Sequence, residues 1–248
     1  MTLSSPTIST HPLEKLTWSW QGHQIQYTVQ GTGQPLLLIH GFGASIGHWR
    51  KNIPVLAAAG YQVFALDLLG FGGSDKPALA YSLDLWKAML QDFWATHIQK
   101  PVVFVGNSIG ALLCLMMLAD CPEISAGGVL LNCAGSLNNR TDDMVLPLRL
   151  IMDGFAKLVN SKTVGPFLFN QVRKKHRIRG TLAQVYVNRE AITDELVDLL
   201  YQPSCDSGAQ QVFAAILAAP PGPKPAELLP RIQHPLLVLW GEQAPFSA

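Results

Sequence analysis

The apolar positions of this chain fall into short continuous runs separated by longer, periodic stretches. Residues 35–39, 61–66, 102–105, 127–131 and 235–240 are runs of the kind that strands buried on both faces carry. Residues 49–59, 81–98 and 111–118 between them have helical spacing, and Gly60 stands where the first of these helices would end. Near the start, residues 16–20 and 24–30 alternate apolar and polar around Gln21-Gly22-His23, the pattern of a hairpin. Strand and helix in alternation predict an α/β fold, a mostly parallel sheet with helices on both faces.

After Asn132 the pattern changes. No strand run recurs until 235–240, and helical spacing appears at 144–159 (with Pro147 in its first turn), 166–173, 182–190, 193–201 and 207–219. A structureless loop of that length is implausible in a compact domain, so the stretch reads as a helical insertion. Placed after a strand of the parallel sheet, it would lie over the carboxyl ends of the strands as a lid. Residues 220–225, Pro-Pro-Gly-Pro-Lys-Pro, read as a stiff linker back to the core.

One junction carries chemistry. The run 102–105 enters Gly106-x-Ser108-x-Gly110, and an apolar helix follows at once. Strand before and helix after is the context of a nucleophile elbow, in which glycines give room for a tight turn and the serine is pushed out above a helix N-terminus. That end of a helix favours the negative charge that an attacked carbonyl develops. The bland alternative is a serine that merely caps the helix. A second glycine-bounded turn, His40-Gly41-Phe42-Gly43, follows the run 35–39. An oxyanion hole needs two outward backbone N–H donors, and Phe42 and Ile109 are the candidates. His40 is expected to orient its loop rather than move protons. Asp67, in Asp67-x-x-Gly70-x-Gly-Gly-Ser74-Asp75, is expected to brace a turn through side-chain bonds to backbone.

Composition narrows the class. The chain has 248 residues, is 48% hydrophobic and 14% charged, and has a formal net charge of +1. It can bury a large core, and no global field points to nucleic acid. Cys114, Cys121, Cys133 and Cys205 have neither metal-ligand nor staple spacing, and Cys114 and Cys133 fit as small buried hydrophobes. No metal or cofactor is called for. No secretory signal and no run near the roughly 20 residues of a membrane span is visible. The expectation is a soluble cytoplasmic chain, with the plastid stroma also compatible.

The combination of His40-Gly-Phe-Gly, Asp67-x-x-Gly70-x-Gly-Gly-Ser74-Asp75 and Gly106-x-Ser108-x-Gly110 resembles the α/β-hydrolase superfamily in its capped branch. The likeness covers roughly residues 20–134 and 225–243. It implies a core over 16–134, a helical cap over 135–220 and a return to the core over 221–248. The branch contains esterases, lipases, C–C hydrolases, epoxide hydrolases, haloalkane dehalogenases and haloperoxidases. Ser108 argues against the dehalogenase and epoxide hydrolase types, which carry Asp there. The wording around Ser108 and Asp67 is similar to cyanobacterial and plastid hydrolases, including those that remove phytol from chlorophyll pigments. The resemblance implies cleavage of an ester or related acyl bond of an apolar small molecule.

The family pattern is not met throughout. Its triad acid usually follows the penultimate strand; here that turn is Gly241-Glu242-Gln243-Ala244-Pro245, with Ala244 at the carboxylate position. The final strand, the histidine loop and the closing helix are expected to be absent, so the chain reads as impaired: a truncated copy, an incomplete product or a pseudoenzyme that only binds ligand. Glu242, the neighbourhood of Asn132, and Asp142 or Asp143 are weak substitutes for the acid. Of the histidines, His11 and His23 precede the core, and His48 and His97 belong to helices. His234 falls at the wrong strand end, and His176 lies in a solvated basic run. Without the last strand, residues 236–240 are expected to form an apolar edge. Phe155, Phe167, Phe169 and Phe213 would suit an apolar ligand, or are simply core.

Overall fold

The computed structural model describes residues 13–137, 159, 161 and 163–243. A sheet of seven strands runs through it in the order β1-β2-β4-β3-β5-β6-β7. The strands are β1 Leu16–Trp20, β2 His23–Gln30, β3 Gln34–Ile39, β4 Tyr61–Leu66, β5 Val102–Asn107, β6 Ser125–Leu131 and β7 Leu236–Leu239. β1 and β2 form the expected hairpin, and β2 pairs antiparallel with β4; all pairings from β4 to β7 are parallel. Gln21 and Gly22 make the hairpin turn, both with positive φ, as a two-residue connection between twisted strands requires.

Burial on both faces explains the continuous apolar runs. On β3 and β4, Leu36, Leu38, Val63 and Ala65 pack against Trp49 and Ile53 on one side of the sheet. Leu37, Ile39, Phe64 and Leu66 face the other side and join the larger core with α2 (Leu83–Phe93) and α3 (Ile109–Asp120). α3 is central: ten consecutive residues, Ile109 to Leu118, are buried. An apolar helix without a polar face has no other stable place in a water-soluble fold.

Helix boundaries depart from the sequence expectation in two places. In place of one helix over 49–59 there is a 3-10 turn, Ile46–Trp49, and then α1, Ile53–Ala58. Pro54 lies in the first turn of α1, where its missing N–H costs nothing and its ring restarts the helix. The helix expected at 182–190 lies at Lys175–Val185 instead (α5). Its anchors Ile178, Leu182 and Tyr186 recur at four-residue spacing, but the basic run at its start hid the first turn. The helix expected over 144–159 lies, apart from Val159, outside the described residues, as do Phe155, Asp142 and Asp143.

Among the described residues, the stretch between β6 and β7 contains α4 Val164–Val172, α5, α6 Asp194–Tyr201 and α7 Ala209–Leu217. They meet the loops that leave β3 and β4. A Cβ on Gly47 would fall 2.5 Å from Leu199 Cδ2, and one on Gly70 would fall 2.8 Å from Val212 Cγ1. Arg50 pairs with Glu195 and Lys76 with Asp206, each at 2.8 Å. Residues 220–224 and the short α8 (Pro225–Leu228) lead into β7. Among the described residues β7 is the edge of the sheet, and Leu237, Val238, Leu239 and Trp240 are 44–52% exposed.

Candidate functional site

Register brings the motif loops together. Ile39 is level with Leu66 and with Gly106, Asn107 with Leu131, and Leu131 with Leu239. The chain segments that begin at His40, Asp67, Ser108, Asn132 and Trp240 therefore leave the same end of the sheet side by side. His234 precedes β7, at the opposite end.

Ser108 stands between β5 and α3 with φ 55° and ψ −118°. A non-glycine residue adopts positive φ only where its surroundings impose it. The imposition is visible. The Ser108 N–H donates to the Leu131 carbonyl at 3.0 Å, and its own carbonyl accepts from Ala111, Leu112 and Ala134. The two motif glycines allow this packing. A Cβ on Gly106 would sit 2.2 Å from the Gly110 oxygen, and one on Gly110 would sit 2.2 Å from the Ile39 oxygen. The Ser108 side chain does not cap α3, so the bland reading of the motif is set aside. No described side chain hydrogen-bonds its hydroxyl.

The turn after β3 closes against the elbow. A Cβ on Gly41 would lie 3.2 Å from Ser108 Cβ, and Gly43 has φ +67°. His40 is fully buried and bonded at both ring nitrogens. Nε2 accepts the Leu68 N–H at 3.0 Å, which leaves Nδ1 to donate to the Gly41 carbonyl at 2.8 Å. That carbonyl belongs to the same peptide plane as the Phe42 N–H and points the opposite way. Holding one aims the other. Among the described residues neither the Phe42 nor the Ile109 backbone N–H donates a hydrogen bond.

Asp67 braces the next loop, as expected. Its carboxylate accepts the Ile46 N–H at 2.6 Å and the Gly73 N–H at 2.7 Å, while its backbone carbonyl takes the Ser74 hydroxyl at 2.6 Å. Burial raises the Asp67 carboxyl to about 6, against the pull of its two backbone donors. Burial lowers His40 to about 4, and burial followed by the nearby His40 lowers His48 to about 4. At neutral pH the site therefore holds two neutral imidazoles and a buried carboxylate.

Beside this turn lies a small, mostly apolar cavity of about 90 Å³. Phe42, Phe71 and Lys76 line it from the sheet side, and Phe169, Leu200, Val212 and Phe213 from the helical side. Phe213 stacks obliquely on Phe42 and Phe169. Phe167, by contrast, is 62% exposed and does not line this cavity. Sequence reasoning missed Lys76. Its side chain is 4% exposed and its ammonium donates to the carbonyls of Gly72 and Ser74 and to Asp206. Its one sequence signal is a lone cation inside a glycine-rich turn.

The remaining candidates scatter. His97 packs on the rings of Trp18, Tyr27 and Phe93. His23 opens β2, His48 lies in the 3-10 turn, and His176 is exposed on α5. Asn132, with φ 46°, donates its N–H to Leu239, and Glu242 is exposed in the turn after β7. His11 and Ala244 lie outside the described residues. Cys114 is buried and Cys133 half-buried, both as free thiols, and burial raises Cys133 to about 11. Among the described residues no group of His, Cys, Asp or Glu could hold a metal, and no helix is long and apolar enough to cross a membrane.

Comparison with known proteins bears on the family and the fold. Residues 36–248 match the model of the alpha/beta hydrolase family. The 2-hydroxymuconate semialdehyde hydrolase of Pseudomonas sp. strain CF600 is 30% identical over 224 residues, which is 86% of this chain and 71% of that protein. The 2-hydroxy-6-oxo-6-(2'-aminophenyl)hexa-2,4-dienoic acid hydrolase of Metapseudomonas resinovorans is 36% identical over 148 residues, 57% of this chain and 51% of that protein. This chain thus spans about half the length of that relative. Among solved structures, the epoxide hydrolase CorEH superposes with a TM-score of 0.75 at 18% identity, covering 94% of this chain and 83% of that one, a likeness of fold. Motifs, sheet order and sequence match agree: the chain belongs to the alpha/beta hydrolase family.

Proposed function

We propose that the chain carries the nucleophile and oxyanion hole of a serine hydrolase acting on an ester or related acyl bond of an apolar small molecule. One observation carries the reading. Ser108 is held at positive φ at the head of α3, the turn at Gly41 packs against it, and the backbone N–H groups of Phe42 and Ile109 donate to no described residue. In this reading the Ser108 hydroxyl attacks the carbonyl carbon. The oxyanion forms against the Phe42 and Ile109 N–H groups, and the carbon–oxygen bond to the leaving alkoxide breaks as that oxygen gains the proton. His40, Gly41, Gly43, Gly106 and Gly110 shape the site without touching substrate. The core 16–134, the cap 135–220 and the return 221–248 then act as one unit, with the cavity between cap and core taking the apolar part of the substrate. The named substrates of the two relatives put unsaturated oxo acids in the same test panel.

A second reading, ligand binding without turnover, is favoured by the aromatic and apolar lining of the cavity, Phe42, Phe71, Phe169 and Phe213 among it. A fluorophosphonate probe separates the two. Covalent labelling of the wild-type chain, lost in Ser108→Ala, is the result expected of a hydrolase. A folded wild-type chain that resists labelling, yet binds an apolar fluorescent ligand equally well before and after Ser108→Ala, overturns catalysis in favour of binding.

A further inference from the structure

Charge along the chain is balanced overall at +1, yet one stretch is not. Residues 163–189 contain Arg173, Lys174, Lys175, Arg177, Arg179 and Arg189, with His176 among them and no Asp or Glu. Several of these cations crowd the first turn of α5, the helix end where positive charge is least favourable. Helix stability does not explain their placement. Some are neutralised from outside the stretch: Lys175 pairs with Asp198 at 2.5 Å, and Arg179 with Asp194. Lys174, His176 and Arg177 are exposed and form no ion pair with a described residue. Arg173, Lys174, Lys175 and His176, with Asn170 and Tyr201, line an open groove of about 430 Å³.

An apolar ridge adjoins that groove. On α4, Val164 and Phe167 are spaced three apart and are 36% and 62% exposed. Asn170 continues the same stripe into the basic groove. Val172, at the end of α4, is 48% exposed. The neighbouring Phe169 points the other way, into the cavity beside Phe42. One short helix thus shows an aromatic ring to solvent and another to the candidate substrate cavity.

We infer that the outer surface of α4 and the start of α5 is a docking face for an anionic lipid bilayer, with Phe167 inserting among the acyl chains and Lys174, His176 and Arg177 lying at the headgroups. Phosphate headgroups supply the charge that the basic stretch lacks, and the bilayer interior covers the exposed phenylalanine. A polyanion such as a nucleic acid would satisfy the cations and leave the apolar ridge in water. Bound in this way, the protein would hold its cavity one helix away from a reservoir of apolar substrate. The inference does not depend on the chemistry of Ser108.

Co-sedimentation of the whole chain with vesicles tests it. Vesicles of phosphatidylcholine with 30 mol% phosphatidylglycerol are compared with vesicles of phosphatidylcholine alone, at roughly 0.05 and 0.5 M salt, salt being the screening lever. Binding is expected to the anionic vesicles only and to weaken at the higher salt. Lys174→Glu with Arg177→Glu should lower it about tenfold or more, and Phe167→Ser should also weaken it with the charge intact. Circular dichroism confirms that the variants are folded. Equal binding to both vesicle types overturns the proposal. So does binding that is indifferent to Phe167→Ser, or that appears on heparin with the same strength and without dependence on Phe167.

Discussion

At the scale of the residue, His40 shows how a buried polar group can shape a site without entering the chemistry. Its ring links the Leu68 N–H to the Gly41 carbonyl, and by fixing that carbonyl it sets the direction of the Phe42 N–H. His40→Ala should leave the buried Leu68 N–H without an acceptor and free the Gly41 peptide to turn. The expected cost is about 2 kcal/mol in denaturant unfolding, with a fall in the rate of probe labelling that His40→Asn restores in part. Acid should also act through this group. His40 and His48 are lowered from 6.5 to about 4, so between those values the unfolded chain takes up protons that the folded chain refuses, and stability falls as pH falls. Asp67, raised from 3.8 to about 6, works in the opposite sense: the folded chain takes its proton first, so its contribution improves on acidification from about 6 to 4. Two histidines outweigh one carboxylate. The thermal midpoint should therefore drop between pH 6.5 and 4, and His40→Ala should flatten that drop.

At the scale of the element, glycines separate what the elbow needs from what it merely tolerates. Gly110→Ala would place a methyl 2.2 Å from the Ile39 oxygen, and Gly106→Ala would place one 2.2 Å from the Gly110 oxygen. Both obstacles are backbone, so α3 must lift away from β3 and β5. Each substitution should cost about 3 kcal/mol or more, or yield insoluble protein. Gly43→Ala is the control: no atom lies within 4 Å of the added carbon, and only the positive φ is charged against it, about 1 kcal/mol. Urea midpoints of the three variants check the ranking. The central strands β3 and β4 were legible in sequence because burial on both faces makes each a nearly unbroken apolar run, and the β1–β2 hairpin because its residues alternate. α1 and α5 were misplaced because short amphipathic helices declare themselves through only two or three anchors. In α5 those anchors, Ile178, Leu182 and Tyr186, sit behind a basic first turn.

At the scale of the whole molecule, the cavity and the sheet edge are the features with consequences. Phe213 meets Phe42 across the boundary between the helical segment and the sheet. Phe213→Ala should lower affinity for long-chain acyl esters more than for short ones, with little change in labelling by a small fluorophosphonate; a chain-length series of KM values reads this. Among the described residues β7 is the edge strand, and its Leu237, Val238 and Leu239 are about half exposed, an arrangement that invites pairing between molecules. Val238→Lys should reduce concentration-dependent association in light scattering and leave the unfolding midpoint nearly unchanged.

The amino-acid sequence alone determines the local part of the site. Gly106, Ser108 and Gly110 mark the strand–turn–helix junction within five residues, whereas the partners that hold Ser108 at positive φ, Leu131 and Ala134, come from the neighbouring strand and its loop. The sequence also determines the alternation of strands and helices, which rests on periodicity. Tertiary structure alone decides the rest. The strand order brings the loops that begin at His40, Asp67 and Ser108 to one end of the sheet. His40 finds its donor 28 residues away, and Lys76 finds Asp206 across 130. The cavity is lined from both sides of residues 42–213. Contacts at such separations leave no periodic trace in a single chain, because each depends on where the sheet register places its partner.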